Sequence, residues 1–424
     1  MASSRDDTPS PAGTAVPVGG HADPAFGTVA DVFAANFAPS GGDTPDSVYD
    51  PGDLGAALCV IVDGRIVVDL WGGWCDVDRT RRWAADTLVN AYSVGKAVTA
   101  AAVLAVVAAG ALDLDAPLSR VWPEYGAHGK GTTTLREALS HRAGLPAVRR
   151  ALGADEIFDF ATVAGALAES EPWWPPGAAH GYHVNTLGHL AGEPVRRATG
   201  RSVGEVIRSG LAGPLGAELW IGLPRTEHHR VAEIDFVQDL PLSRLPHQGP
   251  GHLDRMRYAA YFNPPGLSGI GTVNTERWRE AQVPSTNLHA TARGVARLFA
   301  ALAGAPERSG LAPGAGEVVP AALVAEAATT QSRGHDLVLD RDSRFGLGMM
   351  LHREGRAIGV GEASFGHFGN GGSLGFADPE ARLGFGYLIN RPGDRWQVPR
   401  TRRLLAALRE ALGAAQEAPG PAAG

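Results

Sequence analysis

The stretch Asn90-Ala91-Tyr92-Ser93-Val94-Gly95-Lys96 places a serine three residues before a lysine, at the head of an alanine- and valine-rich run. Residues three apart on a helix lie on one face, so Ser93 and Lys96 can touch. A serine hydroxyl is a weak nucleophile until a neighbouring base takes its proton. A lysine whose pKa is lowered by burial can be that base. Free backbone N–H groups in the first turn of a helix also favour the negative charge that develops during acyl transfer. Lysine is a marked choice in this chain. Of 38 basic residues only Lys96 and Lys130 are lysines; the others are arginines, which do not release a proton. The bare Ser-x-x-Lys pattern keeps a bland reading, a serine near a helix start beside a lysine snorkelling to solvent. It carries chemistry only with a proton shuttle for the leaving group and donors for an oxyanion.

Further segments follow in order. They are Gly110-Ala111-Leu112-Asp113-Leu114-Asp115-Ala116-Pro117-Leu118, then Leu139-Ser140-His141-Arg142-Ala143-Gly144-Leu145-Pro146, then Pro176-Gly177 with Gly181-Tyr182. The last are Phe365-Gly366-His367-Phe368-Gly369 and Gly372-Ser373-Leu374-Gly375-Phe376. With Tyr92-Ser93-Val94-Gly95-Lys96, this series resembles the serine hydrolases of the class C β-lactamase fold, over residues 26–412. Within that group it is most similar to the family VIII carboxylesterases, the esterases of that fold. The resemblance implies Ser93 as acylated nucleophile, Lys96 as its base, and Tyr182 as a phenol or phenolate sharing proton transfer. His367-Phe368-Gly369 stands where the lactamases carry Lys-Thr-Gly on the strand beside the serine. The implied oxyanion hole uses the backbone N–H groups of Ser93 and Asn370, with His367 and Gly369 on the substrate side. His141 falls at a position that is usually structural. No cofactor is implied.

Two departures bear on the substrate. Where the lactamases have Tyr-x-Asn, this chain has Tyr182-His183-Val184-Asn185, which puts Val184 at the asparagine position. On a helix Asn185 would point about 100° away from it. The third motif carries histidine in place of lysine. Both changes weaken the polarisation of a lactam amide and the grip on its carboxylate, and both fit the esterase branch. The expected activity is therefore a serine carboxylesterase acting on small-molecule esters through an acyl-enzyme on Ser93. The rivals are an acyltransferase of a biosynthetic pathway, a β-lactamase or D-Ala-D-Ala peptidase, and a non-catalytic binding module on the same scaffold.

Gly371-Gly372-Ser373-Leu374-Gly375 fits the Gly-x-Ser-x-Gly pattern of another hydrolase fold. That pattern needs a strand–elbow–helix and a later histidine. No histidine follows Ser373, and a hairpin signature does, so Ser373 reads as a strand or turn residue. His228-His229 and the histidines near 247–252 lack a metal-ligand spacing, so no metal is expected. Trp173 and Trp174, on the stiff Pro-flanked loop before Tyr182, either wall an acyl pocket or pack beneath the loop; Trp174 is kept as a candidate substrate contact.

The elements that must position these residues follow from periodicity. Helical spacing covers 26–37, 93–110, 135–139, 163–169, 186–199, 291–302 and 400–412. Two β-branched runs, 56–62 and 65–71, meet at Asp63-Gly64, a strong hairpin signal, and 372–377 with 383–390 forms another. Residues 222–284 show no periodicity and are expected to line a pocket. The expected architecture is α/β (α+β) and β-lactamase/penicillin-binding-protein-like: an antiparallel sheet flanked by helices, with an inserted helical lobe. Residues 25–115 and 286–415 would form the α/β domain and 116–285 the helical, loop-rich lobe. Residues 1–24 would be a disordered tail and 416–424 a loose one.

Composition agrees with an ordinary soluble globular protein. Hydrophobic residues make up 44 % and charged residues 20 % of 424 residues. A net charge of −7 gives no footprint for nucleic acid. No apolar run approaches the ~20 residues that span a bilayer. Cys59 and Cys75 stand outside any metal or disulfide pattern and read as packing residues. With no apolar leader at the N-terminus, the expected compartment is the cytoplasm.

Overall fold

Asp63 and Gly64 both adopt positive φ, 50° and 74°. This is the backbone that a two-residue hairpin turn demands. They join strands β2 (Gly55–Val62) and β3 (Arg65–Gly73). The computed structural model describes residues 16–41, 50–236, 249–309, 316–393 and 398–417. In chain order its other strands are β1 (Val18–Ala22), β4 (Val89–Asn90), β5 (Leu219–Trp220), β6 (His289–Ala290) and β7 (Ser332–Asp336). They continue with β8 (Arg341–Phe345), β9 (Met350–Leu351), β10 (Phe365–Phe368), β11 (Leu374–Asp378) and β12 (Leu383–Ile389).

A nine-stranded sheet has the order β1-β3-β2-β12-β11-β10-β9-β8-β7, and a small one the order β4-β6-β5. Strands from both ends of the chain therefore share one sheet. β12 lies antiparallel to β2, with Leu383 opposite Val62 and Ile389 opposite Ala56. The alternation of β2 sorts its side chains between two layers. Ala57, Cys59 and Ile61 join the core that holds α2 (Val94–Ala108) and the helix Ala292–Leu302. Ala56, Leu58 and Val60 join the core on the other face, with Phe33 of α1 (Gly27–Ala35) and Leu404 and Leu408 of the helix Pro399–Glu417. Cys59 and Cys75 are buried and unpaired.

Glycines set how closely the first layer sits. A Cβ on Gly384 would meet the backbone nitrogen of Ala300 at 2.2 Å, and one on Gly386 the oxygen of Ala292 at 2.3 Å. The helix Ala292–Leu302 thus lies against the backbone of β12. On the other layer Arg400 is fully buried, paired with Asp50 at 2.8 Å and with Asp53. Asp53 also accepts from the Tyr387 hydroxyl. This cluster ties the chain ahead of β2 to the C-terminal helix.

Between the sheet-forming ends run α3 (Leu135–Leu139), α4 (Phe160–Glu169) and α5 (Leu187–Thr199). Three expectations need correction. Residues 18–22, assigned to a disordered tail, form the edge strand β1 against β3; its sequence Val-Gly-Gly-His-Ala has no apolar alternation to announce it. The expectation for residues 1–15 lies outside the described residues, as does that for 418–424, and the C-terminal helix extends to Glu417. The aperiodic segment 222–284 contains the helix His252–Phe262, with only Met256 and Ala260 buried, too narrow a stripe to read from spacing. Its residues 237–248 are outside the described set. Strands β7 to β9 carry no period-two signal: Ser-Arg-Gly-His-Asp on the edge strand β7 and Arg-Asp-Ser-Arg-Phe on β8 are polar, and β9 is only two residues long.

Candidate active site

Ser93 sits immediately before α2, in the N-cap position, yet its hydroxyl makes no capping hydrogen bond. The bland reading of a helix-start serine therefore fails. Tyr92 ahead of it has φ of 49°, a left-handed backbone that non-glycine residues rarely adopt. That turn delivers Ser93 from β4 into the helix. Lys96, one turn on, is fully buried rather than snorkelling. Its Nζ lies 2.8 Å from Ser93 Oγ and donates to the Ser285 carbonyl at 3.0 Å. Burial holds the Lys96 ammonium well below the ordinary lysine range. As a neutral amine, Nζ offers its lone pair to the Ser93 hydroxyl while one N–H stays on Ser285.

Ser285 was not anticipated. It contributes a carbonyl rather than a side chain, which no motif records. Its segment is pressed into place by two glycines: a Cβ on Gly95 would reach Leu288 at 3.0 Å, and one on Gly188 the Ser285 nitrogen at 2.6 Å. Ser285 Oγ in turn accepts from Gly188 N at 2.7 Å.

Tyr182 arrives from the helical middle of the chain. Its ring centroid is 4.9 Å from Lys96 Nζ. Burial pushes the phenol well above its usual range, and a hydrogen bond with Ser93 opposes that only in part. The phenol form is thus the resting state. Its hydroxyl stands 3.4 Å from His367 Nε2. His367 Nδ1 is 2.6 Å from the Phe368 carbonyl, which only accepts, so Nδ1 carries the proton and Nε2 faces Tyr182 as an acceptor. Burial, reinforced by the Lys96 charge, pushes the imidazole down to about 3. His367 is a neutral acceptor here, unlike the lysine it replaces.

The neighbours of Tyr182 fix it by hydrogen bonds. Its backbone N–H donates to buried Asp336 on β7 at 2.9 Å. Asp336 also accepts from Val338 N, Leu339 N and the Ser343 hydroxyl. His183 donates from its backbone to His141 Nδ1 at 3.0 Å, accepts from Leu145 N at 3.1 Å and bonds the Gly181 carbonyl at 2.7 Å. His141 and His183 thereby strap residues 141–145 to 181–183. Trp174 donates to the Ala179 carbonyl at 3.1 Å and packs on Gly181 and His183. Asn185 donates to Ala260 O and Ser268 Oγ and accepts from Thr286, so its amide is spent on packing the helix His252–Phe262. Val184 stands buried beside it.

β10 brings the third motif to the serine. A Cβ on Gly369 would sit 2.5 Å from Ala91 O, so only glycine permits this approach. Gly369 N–H is committed to the Ser373 carbonyl at 2.7 Å, and Asn370 is the next N–H along the chain. Ser373 Oγ is buried and accepts from Ile389 N at 3.2 Å. It sits at the start of a strand, not at a strand–helix elbow. Among the described residues no group of three or more His, Cys, Asp or Glu is placed to hold a metal, and no helix is long and apolar enough to cross a membrane.

The second lysine does different work. Lys130 Nζ donates to the carbonyls of Ala127, Ala168 and Ser170 at 2.9, 3.0 and 2.6 Å. Two of these close the C-terminus of α4. Three donors radiating from one atom suit this cradle, and a planar guanidinium does not.

An antiparallel sheet built from both chain ends, with a serine and buried lysine at the head of a helix across one face, defines the β-lactamase-fold serine hydrolases. The Beta-lactamase family model matches residues 46–409, and the chain belongs to that family. It is 34 % identical over 384 residues to the esterase/beta-lactamase LipL of Mycobacterium tuberculosis, covering 88 % of this chain and 82 % of that protein. The crystal structure of a family VIII carboxylesterase superposes with a TM-score of 0.81 at 34 % identity, over 93 % of this chain and 100 % of the other. EstA from Arthrobacter nitroguajacolicus Rue61a superposes with a TM-score of 0.78 at 30 % identity, over 94 % and 99 %. The expected fold is borne out.

Proposed function

We propose that the protein is a serine carboxylesterase working through an acyl-enzyme on Ser93. The observation that carries this reading is a buried Lys96 amine 2.8 Å from a Ser93 hydroxyl that is not spent on capping. The esterase names of its relatives support it. Ser93 Oγ attacks the ester carbonyl carbon as its proton passes to Lys96 Nζ. The oxyanion is held by the backbone N–H groups of Ser93 and Asn370. When the tetrahedral intermediate collapses, the C–O bond to the alcohol breaks. The alkoxide takes a proton from Tyr182, which recovers one from Lys96. Water then attacks the acyl carbon and returns Ser93 along the reverse proton path. His367, held neutral, orients the Tyr182 hydroxyl, and Trp174 positions the segment that carries it.

The same site argues against lactams as the preferred substrate. His367 supplies no fixed positive charge for a lactam carboxylate, and Val184 supplies no amide. The test is intact mass spectrometry with p-nitrophenyl butyrate, a fluorophosphonate and nitrocefin. Wild type should gain an adduct with the first two, and Ser93→Ala should gain none and lose turnover. Retained turnover in Ser93→Ala, or faster hydrolysis of nitrocefin than of the ester, would contradict the reading.

A further inference from the structure

Behind β10, on the side away from Lys96, lies a cavity of about 350 Å³ between the 352–357 turn and the C-terminal helix. Four arginines line it: Arg353, Arg356, Arg402 and Arg409. No carboxylate lines it. Phe368 and Leu405 form its apolar floor. A second pocket of about 60 Å³ shares Arg353, Arg356 and Phe368 and continues along Phe345, Met350 and Ile358, with Asp342, Arg341 and Arg344 also on its wall. None of Ser93, Lys96, Tyr182 and His367 lines either one.

Four arginines converge here without a carboxylate among them. Some arginines elsewhere pair with carboxylates, as Arg136 does with Asp115 and Glu326 and Arg293 with Asp69, while others, such as Arg142 and Arg149, bond backbone carbonyls away from any such cluster. Around the cavity the recorded partners are neutral carbonyls: Arg353 bonds Asp342 O, and Arg409 bonds Gly359 O and Val360 O. Among the described residues none of the four arginines pairs with a carboxylate. Glu354, in the same turn, is exposed and outside the lining. Clustered guanidinium groups repel one another and are matched by a bidentate anion. The apolar slot beside them requires that the anion carry a short hydrocarbon body.

We propose that this cavity binds a small organic carboxylate with a short apolar tail, head group on Arg353, Arg356 and Arg402 and tail against Phe345 and Phe368. Phe345 is also stacked on Tyr182, ring centroids 5.8 Å apart and nearly parallel at 8°. The tail would therefore lie on the far side of the ring that packs against the catalytic phenol. The proposal does not rest on the esterase reading.

Isothermal titration with hexanoate tests it, with hexanol as the uncharged control. Wild type and Ser93→Ala should bind hexanoate alike and hexanol at least tenfold more weakly. Arg353→Gln/Arg402→Gln should weaken hexanoate at least tenfold, and Arg402→Gln alone, on an exposed helix position, should weaken it measurably. Arg120→Gln, an exposed arginine remote in sequence, should not change it. Hexanoate binding that is absent, matched by hexanol or unchanged in both arginine variants overturns the proposal. So does binding abolished by covalent fluorophosphonate labelling yet insensitive to the arginines, which would place hexanoate at Ser93.

Discussion

A Cβ on Gly369 would stand 2.5 Å from the carbonyl oxygen of Ala91. No real side chain is tolerated at that separation, so the third motif and the strand that leads into Ser93 meet backbone to backbone. Gly369→Ala must push β10 away from the serine and shift the Asn370 N–H with it. The expected result is a kcat reduced about 10²-fold, the scale of one lost oxyanion donor, with a lowered unfolding midpoint, because the clash is with backbone. Steady-state kinetics beside a thermal melt checks this, and an unchanged kcat would contradict it.

The proposed base role of Lys96 predicts the pH dependence of turnover. If its neutral amine is the base, kcat/KM rises with pH through the lowered Lys96 pKa and falls below it. Lys96→Arg should be as inactive as Lys96→Ala, about 10³-fold or more below wild type, because a guanidinium does not accept the proton. Partial rescue by arginine would exclude the base role.

The same burial has a stability consequence of defined sign. The folded Lys96 pKa is lowered, so between that value and the unfolded value of about 10.4 the unfolded chain binds the extra proton. This group therefore makes stability rise with pH across that window. Lys96→Met should unfold at higher urea than wild type at pH 7 while being inactive. Urea midpoints at pH 7 and 9 check both parts, and the difference between the two proteins should narrow at pH 9.

His367 should stay neutral throughout the working range, since burial holds it at about 3. An imidazole-linked limb near pH 6 to 7 in kcat/KM should not arise from this residue. His367→Gln, which keeps an acceptor toward Tyr182, should preserve the shape of the pH profile; Tyr182→Phe should lower kcat about 10²-fold or more. An NMR titration of the histidines that shows His367 changing above pH 5 would refute this.

Lys130 tests the other use of lysine. Lys130→Met strands three carbonyls, two of them at the end of α4, and should cost about 3 kcal/mol. Urea unfolding should show the loss, with kcat unchanged in the protein that remains folded. Lys130→Arg should recover little of it.

Much of the framework was readable because its signals are local. Asp63-Gly64 specified a hairpin through the φ values that such a turn needs, and α2 was visible as an unbroken apolar run after Ser93. What escaped had no local signal. β1 has no alternation, β7 and β8 are polar, and the helix His252–Phe262 buries too few side chains to show a period. Lysine scarcity pointed correctly to unusual positions, yet Lys130 shows that a compact triple donor is as good a reason to keep a lysine as a labile proton.

From the sequence alone came the candidates for the reacting groups of the proposed mechanism. Spacing puts Ser93 and Lys96 on one helical face, and the ordered motifs add Tyr182 and His367. Tertiary structure decided their state. Whether Lys96 is a base or a surface charge depends on burial beneath the 283–288 segment, and its hydrogen-bonding partner is a carbonyl that no motif encodes. Whether His367 is a cation or an acceptor depends on the Phe368 carbonyl and on desolvation. Protonation is governed by the surroundings in space rather than by neighbours in sequence, so these states belong to the fold.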